Sequence, residues 1–203
     1  MHSINEIELY HAPRENMLSR VAIESSAVEM TDFDSAFLCG LIKKFRPRKL
    51  LELGVASGGT TAVMLQCLSD LNLDYEFHSV DISPVLYTNN QKRTGYIADL
   101  VKETLPHVNH KLHLGHGIPY FLPKIGGGID FVLLDTTHFM PGEVLDFIAV
   151  LPYLTNNAVV CVHDIAISQA PRLHTAHACS ILFSSVTARK FMNYLPPVEV
   201  IPI

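Results

Sequence analysis

The sequence predicts an α/β fold in which a doubly wound, mostly parallel sheet is covered by helices on both faces. Three observations predict it. Short runs such as 130–135 and 158–162 are apolar at nearly every position, so both faces of those strands must be buried, as in a parallel sheet. Segments with apolar residues at helical spacing alternate with them. Each run ends in glycine, a carboxylate or an imidazole, and in such sheets ligands sit beyond the carboxyl ends of the strands. The 203 residues contain no repeat, low-complexity tract or Pro/Gly/Ser linker. They are expected to form a single domain over 1–203, with residues 1–30 as an N-terminal helical or irregular extension.

The elements follow in order. Thr31 or Asp32 caps a helix whose apolar face is Phe37, Leu38, Leu41, Ile42 and Phe45, and Pro47 stops it. Residues 49–53 form a buried strand ending at Gly54. After Gly58 and Gly59, the face Thr60, Val63, Met64, Cys67, Leu68 and Leu71 marks a second helix. A strand over 76–81 precedes Ser83 and Pro84, which predict a helix running to about Leu105. Strands over 111–114 and 130–135 follow. A helix starts at Pro141 to Glu143 and carries Val144, Leu145, Ile148 and Leu151; a fifth strand, 158–162, ends at His163 and Asp164. Ala178, Ile181, Leu182 and Ser185 mark another helix, and 198–203 a last strand.

Composition excludes several classes. A hydrophobic fraction of 48% against 17% charged describes a globular chain with a large interior. A net charge of −5 leaves no general cationic field for a nucleic-acid backbone. The basic group Lys43, Lys44, Arg46, Arg48 and Lys49 reads as a solvated helix end. No apolar run approaches the roughly 20 residues of a membrane span, and the N-terminus lacks a signal-peptide core, so a cytoplasmic protein without a membrane partner is expected. The 4 cysteines, Cys39, Cys67, Cys161 and Cys179, stand singly among apolar neighbours. They are expected to be buried reduced thiols.

The chemistry gathers at the strand tips. In the turn from Glu52 to Thr60, glycines admit a ligand close to the backbone and the helix start aims free N–H groups at it. Gly54 and Gly58 are four apart, which is not the GxGxxG spacing of a dinucleotide-binding turn. Glu52 places a carboxylate at the tip, suited to a ligand's ammonium group. Asp81, ending the second strand, matches the acid that holds ribose hydroxyls in nucleotide-binding α/β folds, and capping of the next helix is its plainer role.

The E-x-G-x-x-x-G-G turn, the acid at Asp81 and the segment IDFVLLDTTHFMPGEVLDFIAVLPYLTNNAVVCVHDI together resemble the class I S-adenosylmethionine-dependent methyltransferases. The D-x-x-H and HD pairs are similar to the branch of macrocin-type sugar O-methyltransferases and cephalosporin hydroxylase-like proteins. The resemblance covers about residues 33 to 195. It implies a Rossmann-like sheet, methyl transfer from S-adenosylmethionine to a hydroxyl of a sugar or related small metabolite and, in some members, a divalent cation such as Mg²⁺. Carried over, Glu52 faces the methionine part of the cofactor, Gly54, Ala56, Ser57, Gly58 and Gly59 line its cradle, and Asp81 holds the ribose. His116 stands where many relatives carry an acid for the adenine amino group. Asp135 sits near the sulfonium or, with His163 and Asp164, ligates a metal; the plainer role of the two aspartates is to bond loop amides. His138 and His163 are candidate bases, since an imidazole pKa near ~6.5 suits removal of a hydroxyl proton. Tyr120 and Phe139 are read as core packing in preference to stacking or pocket walls, His174 and His177 as solvent-exposed, and 168–177 as a loop or lid.

Two other functions stay open at the level of sequence: a nicotinamide-dependent oxidoreductase on the same general fold, and a relative that binds the cofactor without turnover. The chain stops just where a final strand begins, so the C-terminal strands look incomplete. An exposed sheet edge is a pairing hazard, and a homodimer covering it is one expectation.

Overall fold

The structure, a computed structural model, describes residues 3–4, 7–170 and 173–192. In chain order its elements are β1 (Ser3–Ile4), α1 (Ala12–Arg20), α2 (Asp32–Phe45), β2 (Lys49–Leu53), α3 (Gly59–Asp70), β3 (Glu76–Asp81), β4 (Val85–Leu86), β5 (Asn89–Arg93), α4 (Tyr96–Lys102), β6 (His110–Leu114), α5 (Ile118–Ile125), β7 (Ile129–Leu134), α6 (Gly142–Val150), β8 (Leu154–Val162), α7 (Ala178–Ser185) and β9 (Phe191–Met192). Five strands form one parallel sheet in the order β6-β3-β2-β7-β8. The chain winds outward from β2 through β3 to β6, then returns to the other side of β2 for β7 and β8. The reversal point between β2 and β7 is where ligands bind in sheets of this kind.

Alternation along the strands divides the core in two. Leu50, Phe77, Phe131 and Leu133 point into the layer built with α1, α2, α3 and α4. Leu51, Leu53, Val80, Val132 and Leu134 point into the layer built with α5, α6 and α7. Burial on both faces explains why residues 131–134 of β7 are apolar throughout and why β2 carries leucines on both faces, with Glu52 buried among them. Helix α2 begins where expected, with the Thr31 hydroxyl accepting from the Asp34 N–H at 3.1 Å. It ends at Arg46 in a left-handed conformation (φ 48°), one residue before Pro47.

Four features differ from expectation. Ser83 does not open a helix: its hydroxyl donates to the Val85 carbonyl at 2.6 Å and starts the antiparallel β4–β5 hairpin. The polar run from Tyr87 to Thr94 has no apolar stripe to bury, so the helix is delayed until Gly95 supplies a left-handed cap (φ 80°). Helix α5 was not anticipated, although Ile118, Phe121, Leu122 and Ile125 bury one face at i, i+3, i+4, i+7 spacing. Strand β8 starts at Leu154, four residues early, and β1 pairs in parallel with β9. The strand expected over 198–203 lies outside the described residues.

Residues 12–31 are tied to this frame. Arg14, only 6% exposed, donates to the Met30 carbonyl at 2.8 Å and to Ser25 and Ser35, binding α1 to the segment before α2. Among the described residues no helix is long and apolar enough to cross a membrane. The cysteines are free, with Cys39, Cys67 and Cys179 buried and Cys161 half-buried.

Candidate active site

The strand ladder continues one residue past each strand and so fixes the tips. Gly54 N donates to Val80 O, Asp135 N to Leu53 O, His163 N to Leu134 O and Gly115 N to Asp81 O, all within 2.9–3.1 Å. One edge of the sheet therefore carries every residue singled out at the strand ends.

The turn after β2 is more tightly knit than a set of free amides. Asp81 Oδ2 accepts from Val55 N at 2.9 Å and Ala56 N at 3.1 Å, and its Oδ1 from Ser83 N at 2.8 Å. Gly58 N donates to Val55 O and Gly59 N to Ser57 Oγ. These four amides are thus satisfied inside the protein, so the free N–H groups expected there are not those of Val55, Ala56, Gly58 or Gly59. The glycines meet backbone rather than open space. A Cβ on Gly54 (φ 86°) would overlap the Asp135 carbonyl oxygen, and one on Gly58 (φ 84°) would lie 2.8 Å from the Gly95 Cα. Ala56 is itself left-handed (φ 48°). A carboxylate offers about four acceptor positions, so Asp81 keeps one, on Oδ1, for a ligand.

Glu52 is fully buried. Its Oε2 accepts from Thr61 Oγ1 at 2.7 Å and Ser79 Oγ at 2.5 Å, while Oε1 has no partner. Burial raises its pKa to about 8 against the opposing help of Ser79 and Thr61, with the charges of Asp135 and Asp81 adding to the rise. With no exposed atom, Glu52 braces the turn from behind.

Beyond β7 and β8, four polar side chains converge. His163 Nδ1 lies 3.1 Å from Asp135 Oδ1 and 3.5 Å from Asp164 Oδ2. His138 Nε2 lies 3.8 Å from Asp135 Oδ1 and 3.5 Å from Asp164 Oδ2. His138 and Asp164 both hold left-handed backbones (φ 59° and 54°), a conformation costing a β-carbon residue on the order of 1 kcal/mol and recurring at functional sites. The loop is held there by Ala178 N donating to His138 O and Ile167 N to Asp164 O.

The charges explain the protonation. Burial works against a charged His163, but the hydrogen bond and charge of Asp135, with Asp164 and Asp34, outweigh it and raise its pKa to about 9. His138 is also raised, first by Glu143 and against burial, with Asp135 and Asp164 adding to it. Asp164 is raised by burial, opposed by His163 and His138.

The sequence did not mark Glu143. It is fully buried, with Oε1 accepting from Thr136 N at 3.2 Å and Oε2 from the Cys179 thiol at 2.7 Å, and that same Oε2 stands 3.5 Å from His138 Nδ1. Its place five residues after His138 in a helix start was the available signal, and it reads equally well as a helix-dipole acid. Cys179 comes from α7, far along the chain, and nothing local pointed to it.

His116 stands past β6, exposed and stacked on Tyr120 with ring centroids 4.1 Å apart. Tyr120 and Phe139 are 51% and 43% exposed, which corrects their reading as core residues. Both rings lie on loops or helix starts at the tip edge, where no layer covers them. His174 and His177 are exposed, as expected. Two cavities, of about 350 Å³ beside Phe45 and Val159 and about 220 Å³ beside Tyr75 and Asn109, border strand starts and carry none of this chemistry.

A doubly wound sheet with a glycine turn, an acid on the neighbouring strand and a carboxylate–imidazole cluster across the reversal point puts its polar groups at the edge where α/β enzymes bind ligands. Residues 51–165, more than half of the chain, match the methyltransferase-domain family Methyltransf_24. The chain belongs to that family, and it is a class I S-adenosylmethionine-dependent methyltransferase; the nicotinamide alternative falls with this match. No curated protein shows significant sequence similarity to it.

Solved structures agree on the fold. The O-methyltransferase TomG from Streptomyces achromogenes, in complex with S-adenosylmethionine, is 15% identical with a TM-score of 0.57 over 88% of this chain and 78% of its own. The methyltransferase PaMTH1 from Podospora anserina, bound to S-adenosylhomocysteine, is 14% identical with a TM-score of 0.59, covering 85% and 76%. An O-methyltransferase from Bacillus cereus, in complex with S-adenosylhomocysteine, is 13% identical with a TM-score of 0.54 and covers 87% of each chain.

Proposed function

We propose that the protein moves the methyl group of S-adenosylmethionine to the oxygen of a hydroxyl on a sugar or related small metabolite. The observation that carries this reading is the convergence of Asp135, His138, His163 and Asp164 beside the turn at the β2/β7 reversal point. Methyl transfer is an in-line displacement at a carbon already activated by positive sulfur, so the protein must position two reactants and remove one proton. The acceptor oxygen attacks the methyl carbon, the carbon–sulfur bond breaks with its electrons returning to sulfur, and the hydroxyl proton passes to an imidazole.

In this reading the cofactor lies along Gly54, Ala56, Ser57, Gly58 and Gly59, with a ribose hydroxyl on the remaining Oδ1 position of Asp81. His116 and Tyr120 would offer stacking rings to its adenine, and Asp135 would lie on the side of its sulfonium. Glu52 supports the turn from beneath. The acceptor enters from the side of His138 and His163.

The donor set also suits a divalent cation. Ligand atoms of Asp135, His138 and Asp164 lie within 4.8 Å of one another, and carboxylates with imidazole suit Mg²⁺, Mn²⁺ or a later transition ion. His163, named with Asp135 and Asp164 from the sequence, stands beside this group as the hydrogen-bond partner of Asp135, 3.5 Å from Asp164. A cation held there would supply Lewis-acid stabilisation of the acceptor oxygen. Asp135 and Asp164, once committed to it, would no longer hold protons on the imidazoles. His163 would then be neutral and able to act as base.

Calorimetry tests the cofactor reading: S-adenosylmethionine and S-adenosylhomocysteine should bind, and Asp81→Ala should weaken both by about 1–3 kcal/mol, the scale of losing a charged acceptor. Preferential binding of NADH would overturn it. For the cation, a hydroxyl-compound library assayed for S-adenosylhomocysteine production should lose turnover in EDTA and regain it with Mg²⁺ or Mn²⁺, while cofactor affinity persists. Undiminished turnover in EDTA would overturn the cation reading.

A further inference from the structure

Two segments outside the strand tips meet above the reversal point. The stretch before α2 lies directly on the glycine turn: Ser57 Oγ donates to Ala27 O at 3.1 Å, and a Cβ on Gly59 would come within 2.8 Å of the Val28 Cα. Val28 and Met30 are buried at 4% and 3% exposure, so the backbone of Glu29 is held on both sides while its side chain projects outward. From the other side, the β4–β5 hairpin is rooted at Asp81 through Ser83 N and anchored by buried Leu86. It carries Tyr87, which is 75% exposed. The Tyr87 hydroxyl donates to Glu29 Oε1 at 3.4 Å, joining the segment on the turn to the hairpin rooted at Asp81.

Electrostatics agree with that placement. Burial raises the pKa of Glu29, and the negative charges of Asp135 and Asp81 both add to the rise, as Asp135 also does for Tyr87. Glu29 therefore feels the acids at the tips of both β3 and β7. Asp135 faces the imidazoles of His163 and His138, and Asp81 accepts from three backbone amides, whereas among the described residues no lysine or arginine pairs with Glu29. Glu29 is thus the carboxylate beside the turn whose charge no cationic side chain among the described residues offsets, and it favours a cationic occupant through a Coulomb attraction that solvent partly screens.

We propose that Glu29 reads the positive charge of the cofactor's sulfonium and that Glu29 and Tyr87 together form a clasp across the crevice. This rests on the cofactor reading above. S-adenosylmethionine carries the sulfonium; the product thioether does not. A clasp built on a carboxylate thus holds the methyl donor and releases the spent cofactor, which shares every other recognition group. The role differs from that of Asp81, whose hydrogen bonds to ribose are the same for both molecules.

Calorimetry with S-adenosylmethionine and S-adenosylhomocysteine on wild type, Glu29→Gln, Glu29→Lys and Tyr87→Phe tests it. The exposed position of both side chains leaves the core intact in every variant. Glu29→Gln should weaken S-adenosylmethionine about five- to tenfold while changing S-adenosylhomocysteine less than about twofold, the scale of a partly screened ion pair. Glu29→Lys should invert the preference, and Tyr87→Phe, which keeps the carboxylate, should preserve the wild-type ratio. Equal weakening of both ligands by Glu29→Gln, or no change in either, overturns the clasp and leaves the cofactor reading standing. Failure of wild type to bind either ligand overturns the cofactor reading itself.

Discussion

Replacing Gly54 by alanine is expected to remove most of the stable fold, whereas the same change at Gly115 costs only a few degrees in Tm. Both glycines have positive φ, 86° and 90°, and a left-handed backbone costs a residue with a β-carbon about 1–2 kcal/mol. At Gly115 nothing lies within 4 Å of the new Cβ, so the dihedral is the whole effect. At Gly54 the Cβ meets the backbone carbonyl of Asp135, which no side-chain rotation can relieve. The tips of β2 and β7 would have to part, breaking the Asp135 N–H to Leu53 carbonyl bond at the reversal point. Against a typical stability of about 5–15 kcal/mol, that displacement is a large fraction. Urea denaturation of the two variants side by side measures the difference, and equal midpoints would show that the close approach is not limiting.

Asp135→Asn is expected to return the His163 pKa from about 9 toward the ordinary value near ~6.5. Burial works against the charged imidazole, and Asp135 is the foremost of the groups that outweigh it, so removing its charge lets burial prevail. The consequence for stability has a definite sign. A histidine whose folded pKa lies above its unfolded value stabilises fully below pH ~6.5, and that contribution fades as pH rises through about 9. The difference corresponds to about 3 kcal/mol, to order of magnitude. In EDTA-treated protein, wild type should lose stability between pH 6.5 and 9, and the slope should flatten in Asp135→Asn. NMR titration of the His163 ring, assigned with His163→Gln, gives the pKa directly. An unchanged value in Asp135→Asn would remove Asp135 as its controlling partner.

Much of the architecture followed from local pattern. Runs buried on both faces, such as 131–134, specify strands of a parallel sheet because side chains on either face must be apolar. Thr31 and Pro47 bound a helix because capping and the missing N–H act over a few residues. The polar residues at strand ends were legible for the same reason: parallel strands connected by helices put all their carboxyl ends on one edge, so Asp81, Asp135, His163 and Asp164 had to share it. The helix expected from Ser83 failed because a serine–proline pair suits a turn as well as a helix start, and the absence of an apolar stripe over 87–94 decides between them.

What the sequence determined by itself is therefore the sheet, its chemically active edge and the glycine turn beside Asp81, all set by burial period and short-range backbone preferences. Only the tertiary structure decided how individual groups are spent. It closed the turn's amides onto Asp81, sank Glu52 beneath α3, and brought Glu143 and Cys179 to His138. It also set Glu29 against Tyr87 across the crevice. These contacts join residues from different crossovers, and their distances depend on helix packing and on left-handed backbones at His138 and Asp164, neither of which leaves a periodic trace in the chain.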